Sequence, residues 1–477
     1  MFSVKTLPRS APLRALGNVT LPHSSSRTFT VIRHARPQAH GQAQAQTQTQ
    51  NGIGALPRIR RVPARTLIHD AQGLTATSRK APRFAFAFDI DGVLLHVAKP
   101  IPGAIETLQY LHNHDIPFIL LTNGGGKHER ERVEELSARL GVPLSTENFV
   151  QSHTPFQELV DKSWGHGPVD EGPVQNESLK GDGRSAGLAD KNILITGSDP
   201  AKSRRIAEDY GFHSVITPAD IAVAHPTIFP FDAQLKDRYG ATARPLPSPN
   251  PKIDAIFVFN DPRDWAVDIQ VIMDLLLSEK GVLGTYSPKN GRGAEHENYG
   301  WQTDGQPHLY FSNHDLFWSA TYHLPRFGQG AFQAALAGIW RQITRGKAEL
   351  QRTTIGKPYP RTYEFAETVL ARWRAGLLEK RKGKNSEHSA SNDHGHEHED
   401  TTALPLDRVY MIGDNPESDI RGANEYRSPH GTEWASILVR TGVWSKERDG
   451  EPKYTPDAIV DDVKGAVKWA LEREGWR

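Results

Sequence analysis

The sequence predicts an α/β protein: a doubly wound, parallel-sheet core interrupted by a large inserted α/β domain. Three observations carry this. Short apolar runs with strand character alternate with helical periodicities toward both ends of the chain. Several of those runs end at once in Asp, Thr or Gly, as strands do when the loops at their carboxyl ends hold a ligand. Roughly 180 residues separate the two groups, enough for a second domain.

The first strand is the run Phe-Ala-Phe-Ala-Phe over 84–88, read from its period of two. It ends in Asp89-Ile90-Asp91-Gly92, so both carboxylates leave the strand on one face. A helix is expected around Ile105–Leu111. A buried strand over Pro117–Leu121 then ends in Thr122-Asn123-Gly124-Gly125-Gly126. Val133, Leu136 and Leu140 mark a second helix, stopped by Gly141, and Phe149–Val150 a short strand. In the middle of the chain, Lys191–Gly197, Ile253–Asn260 and Leu309–Phe311 read as strands. Trp265–Lys280 reads as a helix with Gly281 as its C-cap. The last part carries Gly356-Lys357-Pro358-Tyr359-Pro360 and a helix around Glu364–Leu370. The strand Val409–Ile412 leads into Gly413-Asp414-Asn415-Pro416-Glu417-Ser418-Asp419, and Ser436–Val439 is a further strand. The expected divisions are a core in two parts, 84–162 and 343–477, around an inserted domain at 163–342. Residues 163–190 and 380–402 read as structureless inserts, and 288–306 as a long loop.

Composition narrows the function. With no cysteine, disulfides, thiolate nucleophiles and cysteine-held metals are excluded. No apolar run approaches the ~20 residues that span a bilayer, so no membrane-spanning helix is expected. The net charge of +1 hides an asymmetry: residues 1–69 hold ten Lys or Arg and no Asp or Glu. The remainder has 47 basic against 56 acidic residues, a net of −9, which disfavours nucleic acid as a partner. An Arg- and Ser-rich leader over about 1–80, acid-free through residue 69, has the composition of a mitochondrial transit peptide, which would place the protein in the matrix.

Two like charges as close as Asp89 and Asp91 are unfavourable unless a cation or a shared proton relieves them. Carboxylates at a strand's end, on a turn opened by Gly92, therefore suggest a divalent-metal site. The glycines at 124–126 are not a P-loop, since no Lys-Ser or Lys-Thr pair follows at the required spacing. Taken singly, Thr122, Asp414 and Asp419 could be helix caps or turn residues, and Lys357 a surface lysine. Taken in order, with three of the four segments at strand ends, they point to one site.

The acidic pair, the hydroxyl after a strand, the lone lysine and the acidic cluster resemble, in that order, the four signature motifs of the haloacid dehalogenase (HAD) superfamily. The resemblance implies a Mg²⁺-dependent phosphatase built on a Rossmann-like core. Asp89 would be the nucleophile, forming an aspartyl-phosphate, and Asp91 the general acid and base. Thr122, with the backbone around Asn123 and Gly124, would bind the phosphoryl group beside Lys357. Asp89, Asp414 and the backbone carbonyl of Asp91 would hold the metal, with Asp419 a second acidic residue there, directly or through water and its neighbours. The inserted domain resembles the large cap of subfamily IIA, which closes over the site and selects the leaving group.

Within that cap, Asn313-His314-Asp315 stands where the subfamily often has Asn-Pro-Asp, which implies substrate recognition by these three residues. The layout is most similar to a mitochondrial branch named after the cat eye syndrome critical region protein. The expected substrate is a small phosphorylated metabolite. The oligomeric state is left open, a homodimer through the cap being one arrangement. Two rival functions remain at this level: a phosphotransferase or mutase using the same intermediate, and a non-catalytic binding or assembly module. His388, His394, His396 and His398 have metal-ligand spacing, but a solvated linker is the preferred reading.

Overall fold

The computed structural model describes residues 82–161, 187–232, 234–318, 322, 324–386 and 406–476. The expected leader, most of the first insert and the histidine-rich stretch lie outside the described residues. The chain opens with β1 (Phe84–Phe88), buried on both faces. Phe86 and Phe88 pack on one side, Ala85 and Ala87 on the other. The alternation seen in the sequence is therefore one of large and small, not of inside and outside, as a central parallel strand requires. A flap of β2 (Leu95–His96) and β3 (Lys99–Pro100) follows. Then come α1 (Ala104–Asn113), β4 (Phe118–Leu121), α2 (Glu129–Leu140) and β5 (Phe149–Val150).

The inserted part begins with β6 (Asn192–Thr196), α3 (Pro200–Tyr210), β7 (Ser214–Ile216), α4 (Pro218–Ala224) and α5 (Leu235–Tyr239). It continues with β8 (Ala255–Val258), α6 (Trp265–Leu277) and β9 (His308–Phe311). A hairpin of β10 (Phe317–Trp318) and β11 (Arg326–Phe327) leads to α7 (Gln329–Ile343) and β12 (Thr353–Thr354). The core resumes with α8 (Pro360–Ser386), β13 (Arg408–Gly413), α9 (Arg421–Glu425) and β14 (Glu433–Val439). The described chain closes with α10 (Lys446–Asp449), β15 (Ala458–Val460) and α11 (Val463–Arg473).

The core sheet has six parallel strands in the order β15-β14-β13-β1-β4-β5. Its aromatic face packs on α1, α2 and α11 through Leu108, Leu136 and Val467; its alanine face lets α8 approach through Tyr363 and Ala366. Each buried phenylalanine of β1 contributes on the order of 1.5–3 kcal/mol, so the strand leading to Asp89 is firmly anchored. The strand order turns around at β1, with β4 and β5 on one side and β13 to β15 on the other. A crevice therefore opens at the carboxyl ends of β1, β4 and β13, where a ligand binds in such sheets. The second sheet is also parallel, in the order β12-β9-β8-β6-β7.

Four local expectations differ from what is found. The helix starting at Trp265 stops at Leu277, three residues early, because the buried Ser278 hydroxyl turns back onto Leu275 O at 2.6 Å. Gly281 instead lies against the lead-in to β8, where its carbonyl accepts from Ile253 N at 2.9 Å. β12 pairs with β9, so the second sheet reaches Thr354, beyond the expected division at 342/343. The backbone of α8 runs on through 380–386, expected to be structureless; Lys and Arg dominate this stretch and favour helix once a packed helix leads into it. The stretch 288–306 is a packed loop: Trp301 meets Trp340 edge-on, and Ser287 bonds Asp304 at 2.7 Å.

Candidate active site

Asp89 leaves β1 where the sheet order reverses, with its backbone N–H on Ile412 O of β13 at 2.9 Å. From β4 comes Thr122, whose Oγ1 accepts the Gly124 N–H at 3.0 Å. With that acceptor position filled, the buried hydroxyl's own proton is left to donate. The Gly124 N–H, expected at the phosphate, is engaged with Thr122 in this arrangement. Asp414 follows β13 directly. A single π-helical turn, Pro416–Ile420, comes next, a rare form frequent at functional sites. That turn swings Asp419 back, so Oδ2 accepts from Asp414 N at 3.2 Å and Asn415 N at 3.1 Å. Tyr363 of α8 pins the turn, its hydroxyl 3.2 Å from Ser418 O.

Lys357 enters from the segment after β12. Its Nζ lies 2.5 Å from Asp89 Oδ1, 2.8 Å from Asp419 Oδ1 and 2.9 Å from Leu121 O, and the side chain is 2% exposed. Burial works against the ammonium, but Asp419 and Asp89 outweigh it and hold the group above the ordinary lysine range. One ammonium thus faces three buried carboxylates. Burial raises Asp89 well above the usual carboxylate range despite Lys357, and Asp419 and Asp414 raise it further. Burial, with Asp419 beside it, pushes Asp414 up to about 7, although the Val443 N–H and Lys357 pull it back. Asp91 is exposed at the mouth. Desolvation by the surrounding protein still raises its carboxyl, against Arg132, Lys357 and Arg139.

Among the described residues, Asp89, Asp414 and Asp419 each place a carboxylate oxygen within 4.8 Å of the others. Asp419 Oδ1 is buried, with the Lys357 ammonium 2.8 Å away. Three buried carboxylates against one ammonium leave excess negative charge in an all-oxygen donor set, which fits a small hard divalent cation. The carboxylate of Asp91 lies outside this trio.

The segment that follows β9 of the second sheet reaches one side of the site. Asp315 Oδ1 accepts from Asn123 Nδ2 at 3.1 Å, and Asn313 Nδ2 reaches Asn123 O at 3.4 Å. Burial pushes Asp315 up to about 6, against the Asn123 bond and Lys357. His314 is exposed and meets Tyr359 edge-on at 6.0 Å between ring centres.

Residues 86–213 match the family described as haloacid dehalogenase-like hydrolase, and residues 354–466 the family described as HAD-hydrolase-like. A mitochondrial hydrolase of Saccharomyces cerevisiae is 38% identical over 400 residues, covering 83% of this chain and 97% of that protein. The chain belongs to the haloacid dehalogenase-like hydrolases. A Schizosaccharomyces pombe protein fuses a CMP-forming cardiolipin synthase with a mitochondrial hydrolase. It is 36% identical over 407 residues, which are 84% of this chain and 55% of the fusion's length. Among solved structures, NagD from Escherichia coli K-12 aligns at 16% identity with a TM-score of 0.43, over 80% of this chain and 96% of its own. A 4-nitrophenylphosphatase from Thermotoga maritima aligns at 15% and 0.44, over 81% and 97%. The assignment rests on the sequence matches alone.

In this HAD hydrolase, sequence reasoning passed over the loop that holds Asp414. Val443 N donates to Asp414 Oδ2 at 2.6 Å, and Thr441 Oγ1 donates to Gly92 O at 2.5 Å. Gly442 comes so close that a Cβ there would lie 1.8 Å from Asp414 Oδ2. Gly92 adds a second constraint, at φ 88° and with a would-be Cβ 2.3 Å from the same oxygen. A glycine three residues past the Ser436–Val439 strand was the available signal. Gly442→Ala is expected to displace Asp414 and weaken divalent-cation binding by at least ~10-fold, measured by calorimetric titration.

Proposed function

We propose that the protein is a Mg²⁺-dependent phosphatase that hydrolyses a small phosphomonoester through an aspartyl-phosphate on Asp89. The observation that carries this is the Lys357 ammonium, 2.5 Å from Asp89 and 2.8 Å from Asp419, in a buried carboxylate cluster that calls for a cation. The catalytic task is charge stabilisation and positioning. Asp89 would attack phosphorus as the ester oxygen leaves, with Asp91 supplying that oxygen's proton from the mouth of the site. Asp91 would then take a proton from the water that releases phosphate. Lys357 would offset charge on the transferred group, and the Thr122 hydroxyl would donate to one of its oxygens. Asp89, Asp414, Asp419 and the Asp91 carbonyl would hold Mg²⁺, which supplies further positive charge and keeps Asp89 ionised. The relatives named as mitochondrial hydrolases and the acid-free leader support a mitochondrial, matrix setting.

Phosphate release from a panel of phosphomonoesters, with and without Mg²⁺, tests the reading. Release that requires Mg²⁺ is expected, and no release from any ester would overturn it. A stability measurement adds an independent arm. A carboxyl raised from 3.8 to about 7, as Asp414 is, lends stability that is full below about pH 4 and lost as pH climbs through 7. A cation that takes the proton's place restores that loss. Mg²⁺ is therefore expected to raise Tm more at pH 8 than at pH 5; at 100 times its Kd the gain approaches ~2.7 kcal/mol.

A further inference from the structure

The side chain of Asn123 is occupied by protein, not left for a ligand. Its Oδ1 accepts from Lys357 N at 2.7 Å. Its Nδ2 donates to Lys357 O at 2.9 Å and to Asp315 Oδ1 at 3.1 Å. An asparagine amide has two protons to give, and both are spent here. The Asn123 carbonyl meanwhile receives Asn313 Nδ2 at 3.4 Å. The three strands of chain that meet at this amide are far apart in sequence: Asp315 is 192 residues from Asn123, and Lys357 is 234. Gly356 marks how tightly they meet. At φ 89°, a Cβ there would lie 2.6 Å from Ser312 O and 3.0 Å from Asn123 Oδ1.

We infer that Asn123 is a positioning residue that registers the seating of the second domain through Asp315 and passes it to Lys357. The inference rests on reading Lys357 and Asp89 as a phosphoryl-transfer pair. One planar group fastens both backbone polar atoms of Lys357, and the same group is fixed from the other side by Asp315. When Asp315 leaves, the amide loses one of its three anchors and turns more freely about its last torsion. The Lys357 backbone then loosens, and with it the reach of Nζ to Asp89. On this view Asp315 contributes an acceptor oxygen to the junction rather than a charge to the substrate.

The test uses the full chain and two substitutions at position 315, with hydrogen exchange at the Lys357 amide as the first readout. Asp315→Asn keeps an acceptor oxygen, and both exchange and kcat are expected to stay within ~2-fold of the unaltered protein. Asp315→Ala removes the acceptor. Exchange at Lys357, a residue Asp315 does not bond, is expected to quicken by ~10-fold, and kcat to fall by ~10-fold with KM changing less than ~3-fold. A swap supplies the rescue. Asn123→Asp alone sets carboxylate against carboxylate; adding Asp315→Asn returns a donor to the pair and is expected to recover kcat by ~5-fold. Unchanged exchange in Asp315→Ala, equal damage from Asn and Ala at 315, or no recovery in the swap would each overturn the inference. Exchange needs no turnover, so an unaltered protein that releases no phosphate would defeat the phosphatase reading separately.

Discussion

Asp89→Asn is expected to lower kcat by on the order of 10⁴-fold or more while leaving a better-folded protein. The amide keeps the shape and can still accept from Lys357, but it cannot attack phosphorus. Its effect on stability runs the other way. Asp89 is 8% exposed and stands beside Asp414 and Asp419, so its burial and their charge raise its pKa above the carboxylate range. Removing one negative charge from that cluster relieves repulsion that the single ammonium of Lys357 offsets in part. Without Mg²⁺ at pH 8, the Asn variant is expected to melt above the unaltered protein and to gain less from added Mg²⁺. Loss of turnover together with a raised melting temperature separates a missing nucleophile from a damaged fold. Lost activity with a lowered melting temperature would instead point to collapse of the site.

Lys357→Met is the second large effect, and here both quantities fall. The ammonium is the cation of the buried cluster, and taking away one partner of a buried pair costs about 3–5 kcal/mol. Asp89 and Asp414 respond by holding protons more strongly, so their pKa values rise further above the unfolded values. A raised carboxyl gives stability at low pH and loses it as pH rises through the folded value. The variant is therefore expected to be closest to the unaltered protein near pH 5 and furthest below it at pH 8. Turnover should drop by ~10²–10³-fold, the scale on which one charge-stabilising donor acts. Denaturant melts at the two pH values, beside a kcat measurement, check both parts.

Part of the candidate site was legible because three of its side chains sit where a strand stops. Asp89, Thr122 and Asp414 follow β1, β4 and β13 directly, and strand ends can be read from short apolar runs. Their convergence could be expected from the rule that ligands bind at strand carboxyl ends. What the sequence did not disclose depends on contacts between distant segments. The backbone around Asn123 was expected at the phosphoryl group, but its side-chain amide is spent on Lys357 and Asp315, partners that no local pattern could name. Gly442 had no motif around it; its importance is the absence of a Cβ against Asp414. The reach of the second domain was missed for a similar reason. A two-residue strand such as Thr353–Thr354 carries no periodicity, and only its pairing with Tyr310–Phe311 assigns it to the second sheet.

The most direct measurement is capture of the intermediate. The protein, mixed with Mg²⁺ and the best phosphomonoester of the panel, would be quenched during turnover, reduced with borohydride and digested for mass spectrometry. Reduction converts an aspartyl-phosphate to homoserine, so the expected result is homoserine at position 89, absent in Asp89→Asn and absent without substrate. Steady phosphate release with no homoserine trapped at position 89, or homoserine at any other aspartate, would contradict the assignment of Asp89 as the nucleophile.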